Sequence, residues 1–331
     1  SGSGKEWQVS IPTNIKMTGG NVTGGIYGGS NQKGTLYGDV TLNILNGNVN
    51  NVFGGGLGKD TVVSQNVTVN LGDNTNSLNL TGSAYGGSAY GTVNDKTKTT
   101  SVSTYKTLVN VNGGNIANVF GGGKGDENNT PYVAGDVTLT INNGKINNAF
   151  GGNNAAGTPN GEVKVYLNGG EVTSAYGGGN KTAVTKTHVY QNSSICQNIF
   201  GGSNESGEVE TSTINVSGGQ TTNLYGGNNI GGTVKNTNIT INGGEITSAY
   251  GGGKKADTTA SDINVLNGKI TNIYGGGEEA NISSKTTINI TDGTITSVYG
   301  GSNKLGSVPV SNITVNGGII DLVYGGNNQG G

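Results

Sequence analysis

Residues able to do chemistry are few in this chain, and they are dispersed. His188 is the only histidine and Cys196 the only cysteine, so neither a zinc site of three or four ligands nor a disulfide framework can be assembled. The run Gly54-Gly55-Gly56-Leu57-Gly58-Lys59 suggests a phosphate-binding loop. However, Phe53 stands where the first glycine belongs and Asp60 where Ser or Thr is needed. Residues 55–62 match a calcium-binding nonapeptide once, and Gly122-Gly123-Lys124-Gly125-Asp126-Glu127 comes close. Calcium in that pattern lies between tandem copies and takes several oxygens, and Gln65-Asn66-Val67 does not continue it. Asp60, Asp126 and Glu127 are left as calcium candidates, with no other cofactor expected. Glycoside chemistry needs two converging carboxylates, but Glu278-Glu279, Glu208, Glu210 and Glu171 share no position in successive repeats. The expectation is a chain without catalysis.

One arrangement does recur: a small or aliphatic residue, a ring, then glycines. The rings are Tyr27, Phe53, Tyr85, Phe120, Phe150, Tyr176, Phe200, Tyr225, Tyr250, Tyr274, Tyr299 and Tyr324. From Phe150 onward they are 26, 24, 25, 25, 24, 25 and 25 residues apart, a period that marks a repeat architecture. All four Phe and eight of the fourteen Tyr occupy this position, so the rings must meet. Stacked rings would fix the register of one repeat on the next and shield the glycines. The functional option is an exposed row on which sugar residues stack. Tolerance of Phe speaks for burial, and the eight Tyr speak for an edge that reaches water. Ice binding would need a flat Thr array, and outward Thr240, Asn215, Asn264 and Asn289 alternate irregularly; side-chain amide ladders suit the Asn better.

The elements that would carry the rings follow from alternation. Ile239/Ile241 and Ile313/Val315 alternate with polar residues, the period of a strand with one buried face. Asn242-Gly243-Gly244 and Asn316-Gly317-Gly318 mark corners, because these residues tolerate positive φ. A repeat of this size cannot bury its own apolar face, whereas stacked repeats can. The expected fold is therefore all-β: a single parallel β-solenoid of about twelve coils, roughly 25 residues each, with three short strands per coil. At the strand spacing, twelve rungs make a rod on the order of 50 Å long.

Composition agrees with a thin, ordered core. Gly supplies 65 residues, hydrophobics 31% and charges 11%, and the net charge is -2, too low for a chain disordered by self-repulsion. Arg is absent and the Lys are scattered, which argues against nucleic acid as a partner. No apolar run is long enough for insertion into a membrane. Residues 1–19 read as an expression scar (Ser1-Gly2-Ser3-Gly4) followed by a cap from Trp7 to Met17, and residues 20–331 as the solenoid.

Within the solenoid, the coils over 54–150 are longer than the regular coils over 151–331. The first insertion falls at the glycine corner near Asp73 to Ser77. The others follow the glycine run, near Tyr90 to Ser103 and Lys124 to Tyr132, at the same corner of adjacent coils. Those two loops should lie side by side. They offer Tyr90, Asp95, Lys96, Lys98, Lys124 and Tyr132, with Tyr105 and Lys106 just beyond, as partner-binding candidates. Aromatics there supply contact area and charges supply orientation. An uncapped last coil, from Tyr324 to Gln329, would present strand edges for end-to-end self-association.

Motifs such as Asn267-Gly268 followed by Ile273-Tyr274-Gly275-Gly276-Gly277 give residues 20–331 a pattern that resembles bacterial cell-surface parallel β-solenoids. These are the β-helix stalks of adhesins and autotransporter-like passenger proteins. The coil length is similar to that of the right-handed β-helices. The resemblance implies an extracellular, cell-surface rod for attachment or display, with a host or bacterial surface protein or glycan as partner. A polysaccharide-binding module using the ring row, and a polysaccharide lyase or hydrolase on a β-helix, are the alternatives.

Overall fold

Two runs in each repeat carry core-facing apolar residues, one in alternation (Ile239, Ile241) and one three residues apart (Ile246, Ala249), and both become rungs of long parallel sheets. In the computed structural model, which describes residues 11–75 and 77–330, the chain winds into one parallel β-solenoid of about twelve turns, without helix. The first run of each repeat builds face A. There Ile214, Ile239, Ile263, Ile288 and Ile313 stand in one column across successive coils. The second run builds face B, where Val172, Cys196, Thr221, Ile246, Ile270, Ile295 and Ile320 stand in register. The third side, face C, has strands in four coils: Lys33–Leu36, Asp60–Val63, Thr92–Val93 and Tyr132–Val133. Further along it runs as a turn held by backbone bonds to the coil before. Examples are Asn180 N to Asn153 O at 3.0 Å and Lys181 N to Asn154 O at 2.8 Å.

The apolar alternation points into the solenoid as expected. Ile239, Ile241, Ile246 and Ala249 are buried in one continuous core that runs the length of the rod. Cys196 takes a core position, and burial raises its thiol to about 12, so it is unreactive near neutral pH. Beside the aliphatic columns runs an inward polar one. Thr187, Thr237, Ser261 and Thr286 donate to the carbonyls of Gly201, Gly251, Gly275 and Gly300 at 2.6–2.8 Å. These hydroxyls satisfy carbonyls that the turn after the ring would otherwise bury without a partner. Glycine is required there by space: a Cβ at Gly177 would lie 2.3 Å from the Gly201 oxygen. At the other corner it is required by conformation, with φ +81° at Gly244 and +88° at Gly318.

The insertion at 73–77 falls between Val67–Leu71 and Leu78–Tyr85, at the corner anticipated. The start of the ladder differs from the sequence reading. Thr13, Ile15 and Met17 pair with Val40, Leu42 and Ile44, so residues 13–17 form a rung of the first coil. Register shifts between Met17 and Gly25 together add one extra residue between that rung and its ring, which hides the frame in the sequence. The remainder of the cap and scar, residues 1–10, lies outside the described residues.

Candidate functional site

The twelve rings form one stack, with centroids 4.5–5.0 Å apart and planes within 12°. They point away from the aliphatic core, since each follows a residue such as Ala249 that faces it. They are nevertheless buried: from Phe53 to Tyr274 the rings are 1–4% exposed, in a second cluster of their own. What covers them is the fourth residue after each ring. Asn154, Asn180, Asn204 and Asn229 join amide to carbonyl at 2.8–3.1 Å, forming a roof over the row. The roof also binds the ring edges, always two coils away. Asn154 donates to the Tyr85 hydroxyl and Asn303 to that of Tyr250, both at 3.1 Å, and Asn229 to that of Tyr176 at 3.5 Å.

At Glu278, the fourth residue after Tyr274, the roof carries a buried carboxylate. The Tyr225 hydroxyl donates to Glu278 Oε2 at 2.5 Å, and Lys304 Nζ donates to Glu278 Oε1 at 2.6 Å. Burial pushes the Glu278 carboxyl up, but the bonds from Lys304 and Tyr225 outweigh it and hold the group below its usual value. Burial raises the phenols of Tyr85, Tyr176, Tyr225 and Tyr250, and that of Tyr274 to about 12. Each inner ring face lies against the next ring, at a spacing with no room for a sugar between. The roof has a sequence signal in its recurrence at ring plus four, which alternation alone does not make visible.

The two long loops lie side by side. Lys124 N, Gly125 N and Tyr132 N donate to the carbonyls of Ser88, Ala89 and Gly91 at 2.9–3.1 Å. Lys124 Nζ sits 5.4 Å from the centroid of the Tyr90 ring, a cation–π distance. Asp95, Lys96 and Lys98 occupy the tip of the first loop, with the two lysines exposed. The tip is tied down from further along the rod: Asn160 Nδ2 reaches Thr99 O at 2.8 Å and the Tyr132 hydroxyl at 2.5 Å. Tyr105 and Lys106 belong to face A instead, where Lys106 N donates to Asn66 Oδ1 at 3.0 Å. Asp126 Oδ1 accepts three bonds from Asn128 and Asn129 at 2.8–2.9 Å, an Asx turn that occupies the oxygen. Asp60 and Glu127 do not join it, and the described residues contain no group of three metal-ligating side chains.

A second aromatic feature was not singled out from the sequence. On face A the outward positions of Val163–Leu167 and Val184–Gln191 carry Lys164 and Tyr166 beside His188 and Tyr190, with Glu162 just before the first strand and Lys186 in the second. Tyr166 and Tyr190 stack at 4.7 Å and 9°. The rungs on either side bear short residues, Thr138 and Thr140 before, Thr213 and Asn215 after. The long side chains therefore stand as an island on a low polar face, and each ring keeps one face over a short neighbour. Glu162 and Lys164 form an ion pair at 2.9 Å that lowers the one and raises the other. Burial lowers His188, whose Nε2 has no hydrogen-bond partner. A hollow of about 260 Å³ bordered by Val102, Asn160, Glu162 and Lys186 joins the island to the long loop. Loop and island are thus one continuous surface.

No protein-family model, curated protein or solved structure matches this chain.

Proposed function

We propose that the chain is a structural and adhesive rod segment of a bacterial surface protein, extracellular and without catalytic activity. It attaches to, or displays, a host or bacterial surface protein or glycan. The observation that carries this reading is the contrast between a shaft that repeats one surface coil after coil and a single side where long loops, hollow and island adjoin. A repeated surface suits a spacer, while insertions on one side of a solenoid are where binding surfaces are built. End-to-end self-association of the rod is part of the same proposal: sedimentation should show concentration-dependent oligomers, and a clean monomer at high concentration would remove that part.

The test of attachment trims the loops without cutting the ladder. Thr92, Val93 and Asn94 are buried, and Ser103 N is bonded to Ala134 O, so the removal is confined to residues 96–101 and 127–128. Trimmed chains should keep their thermal transition, since loop length costs little entropy, and should lose attachment to the target surface. Attachment that survives both trims would refute the reading.

A further inference from the structure

The island on face A has the form of a step. Its wall on the C-terminal side is Lys186, His188 and Tyr190, alternate residues of one strand, about 13 Å from end to end. Its floor is the next rung, where Thr211, Thr213 and Asn215 stand opposite them in register. The free face of Tyr190 looks over Asn215. Such a wall and floor match a saccharide chain: the C–H face of a pyranose packs on an aromatic face, and its hydroxyls meet amide and hydroxyl groups. A protein partner would instead need a deep apolar pocket for an anchor residue, which short Thr and Asn side chains do not form.

Charge narrows the ligand further. Glu162 is paired with Lys164 at 2.9 Å and Glu210 with Lys235 at 2.6 Å, while Asp136 keeps its charge two rungs before the wall, its Oδ1 accepting from Glu162 N at 3.0 Å. Lys186, the charged residue of the wall itself, is exposed and has no ion pair among the described residues. We infer that this step binds an acidic glycan, with a pyranose ring on Tyr190 and a carboxylate at Lys186. The inference rests on the adhesive reading and names the chemistry of its ligand.

Calorimetry of the whole chain with tetragalacturonate and with the neutral galactose tetramer tests it. The acidic probe should bind about tenfold more tightly than the neutral one. Tyr190→Ala should weaken it by about tenfold or more, while Tyr190→Phe, which keeps the ring, should stay within about twofold. Lys186→Ala should erase the preference for the acidic probe. An unchanged unfolding midpoint in Tyr190→Ala excludes misfolding as the cause. The loop-trimmed chain should still bind the free tetramer, because wall and floor lie on the strands, while attachment to a surface, which needs the loops as well as the step, is lost. Failure to bind at millimolar probe, equal binding of both tetramers, or indifference to Tyr190→Ala would overturn the site. If the trims abolish attachment and the probe never binds, the adhesive reading stands and this site falls.

Discussion

Rings stack in two places on this rod, and the two stacks differ in everything except geometry. In the long row the centroids are 4.5–5.0 Å apart, and in the Tyr166–Tyr190 pair they are 4.7 Å apart. Stacking is therefore a consequence of register: like residues at one column of a parallel ladder meet at the strand spacing. The difference lies in what crosses above. The row lies under the roof made by the fourth residue after each ring, and at Tyr85, Tyr176, Tyr225 and Tyr250 the hydroxyl is bound by the roof residue two coils further on. No turn passes over the middle of face A, so the pair keeps its outer faces. Covered rings hold the fold, and uncovered rings can meet a ligand.

The sharpest way to break the comparison is to remove one ring from each stack. Tyr225 is 1% exposed, and Tyr225→Ala leaves a cavity and takes a hydrogen bond from buried Glu278. It should cost about 3–5 kcal/mol in urea unfolding. Gly177→Ala strikes the turn that brings the roof over, where a Cβ meets the Gly201 oxygen at 2.3 Å. Overpacking there should cost about 1–3 kcal/mol.

Titration separates the stacks without mutation. The row phenols have raised folded values, so their contribution is present below the ordinary tyrosine value of 10.0 and is lost as pH rises through the folded value, about 12 for Tyr274. The urea midpoint should hold up to that lower value and fall beyond it, and Tyr274→Phe should flatten the fall. Glu278 has the opposite sign. Its folded value is lowered from 4.5, so its contribution is present above 4.5 and lost as pH falls through the folded value. Glu278→Gln should lose less stability on acidification than the parent chain. The smallest effect is expected at the exposed stack, where Tyr190→Ala should change stability by less than about 0.5 kcal/mol.

Much of the fold could be read from residue spacing. The ring period located the coils, the pairs such as Ile239/Ile241 located the rungs, and displaced pairs located all three insertions. Asn264 and Asn289, read as candidates for an amide ladder, are bonded at 3.0 Å. What escaped was whatever depends on the coil above or below. Alternation tells which side of a strand Tyr250 occupies, but its cover comes from Asn303, 53 residues away. The outward position of Tyr190 was equally plain, yet its open face exists only because Asn215 is its register partner. Met17 was misplaced because bulges between it and Tyr27 broke the count. Of the loop residues, Tyr90 with Lys124 and Tyr132 with the first loop are brought together. Tyr105 and Lys106 stand in a bulge of Ser103–Phe120, between the pairs Ser103–Gly135 and Thr107–Val137 where the regular ladder resumes.

Tyrosine nitration of the native chain, mapped by mass spectrometry before and after attachment to galacturonate-coated beads, tests the division between covered and uncovered rings most directly. Tyr166 and Tyr190 should react in the free chain, and Tyr190 should become protected on the beads. Tyr85, Tyr176, Tyr225, Tyr250 and Tyr274 should react only after denaturation. Nitration of the row at the rate of exposed Tyr105, or no protection of Tyr190 on the beads, would contradict the account.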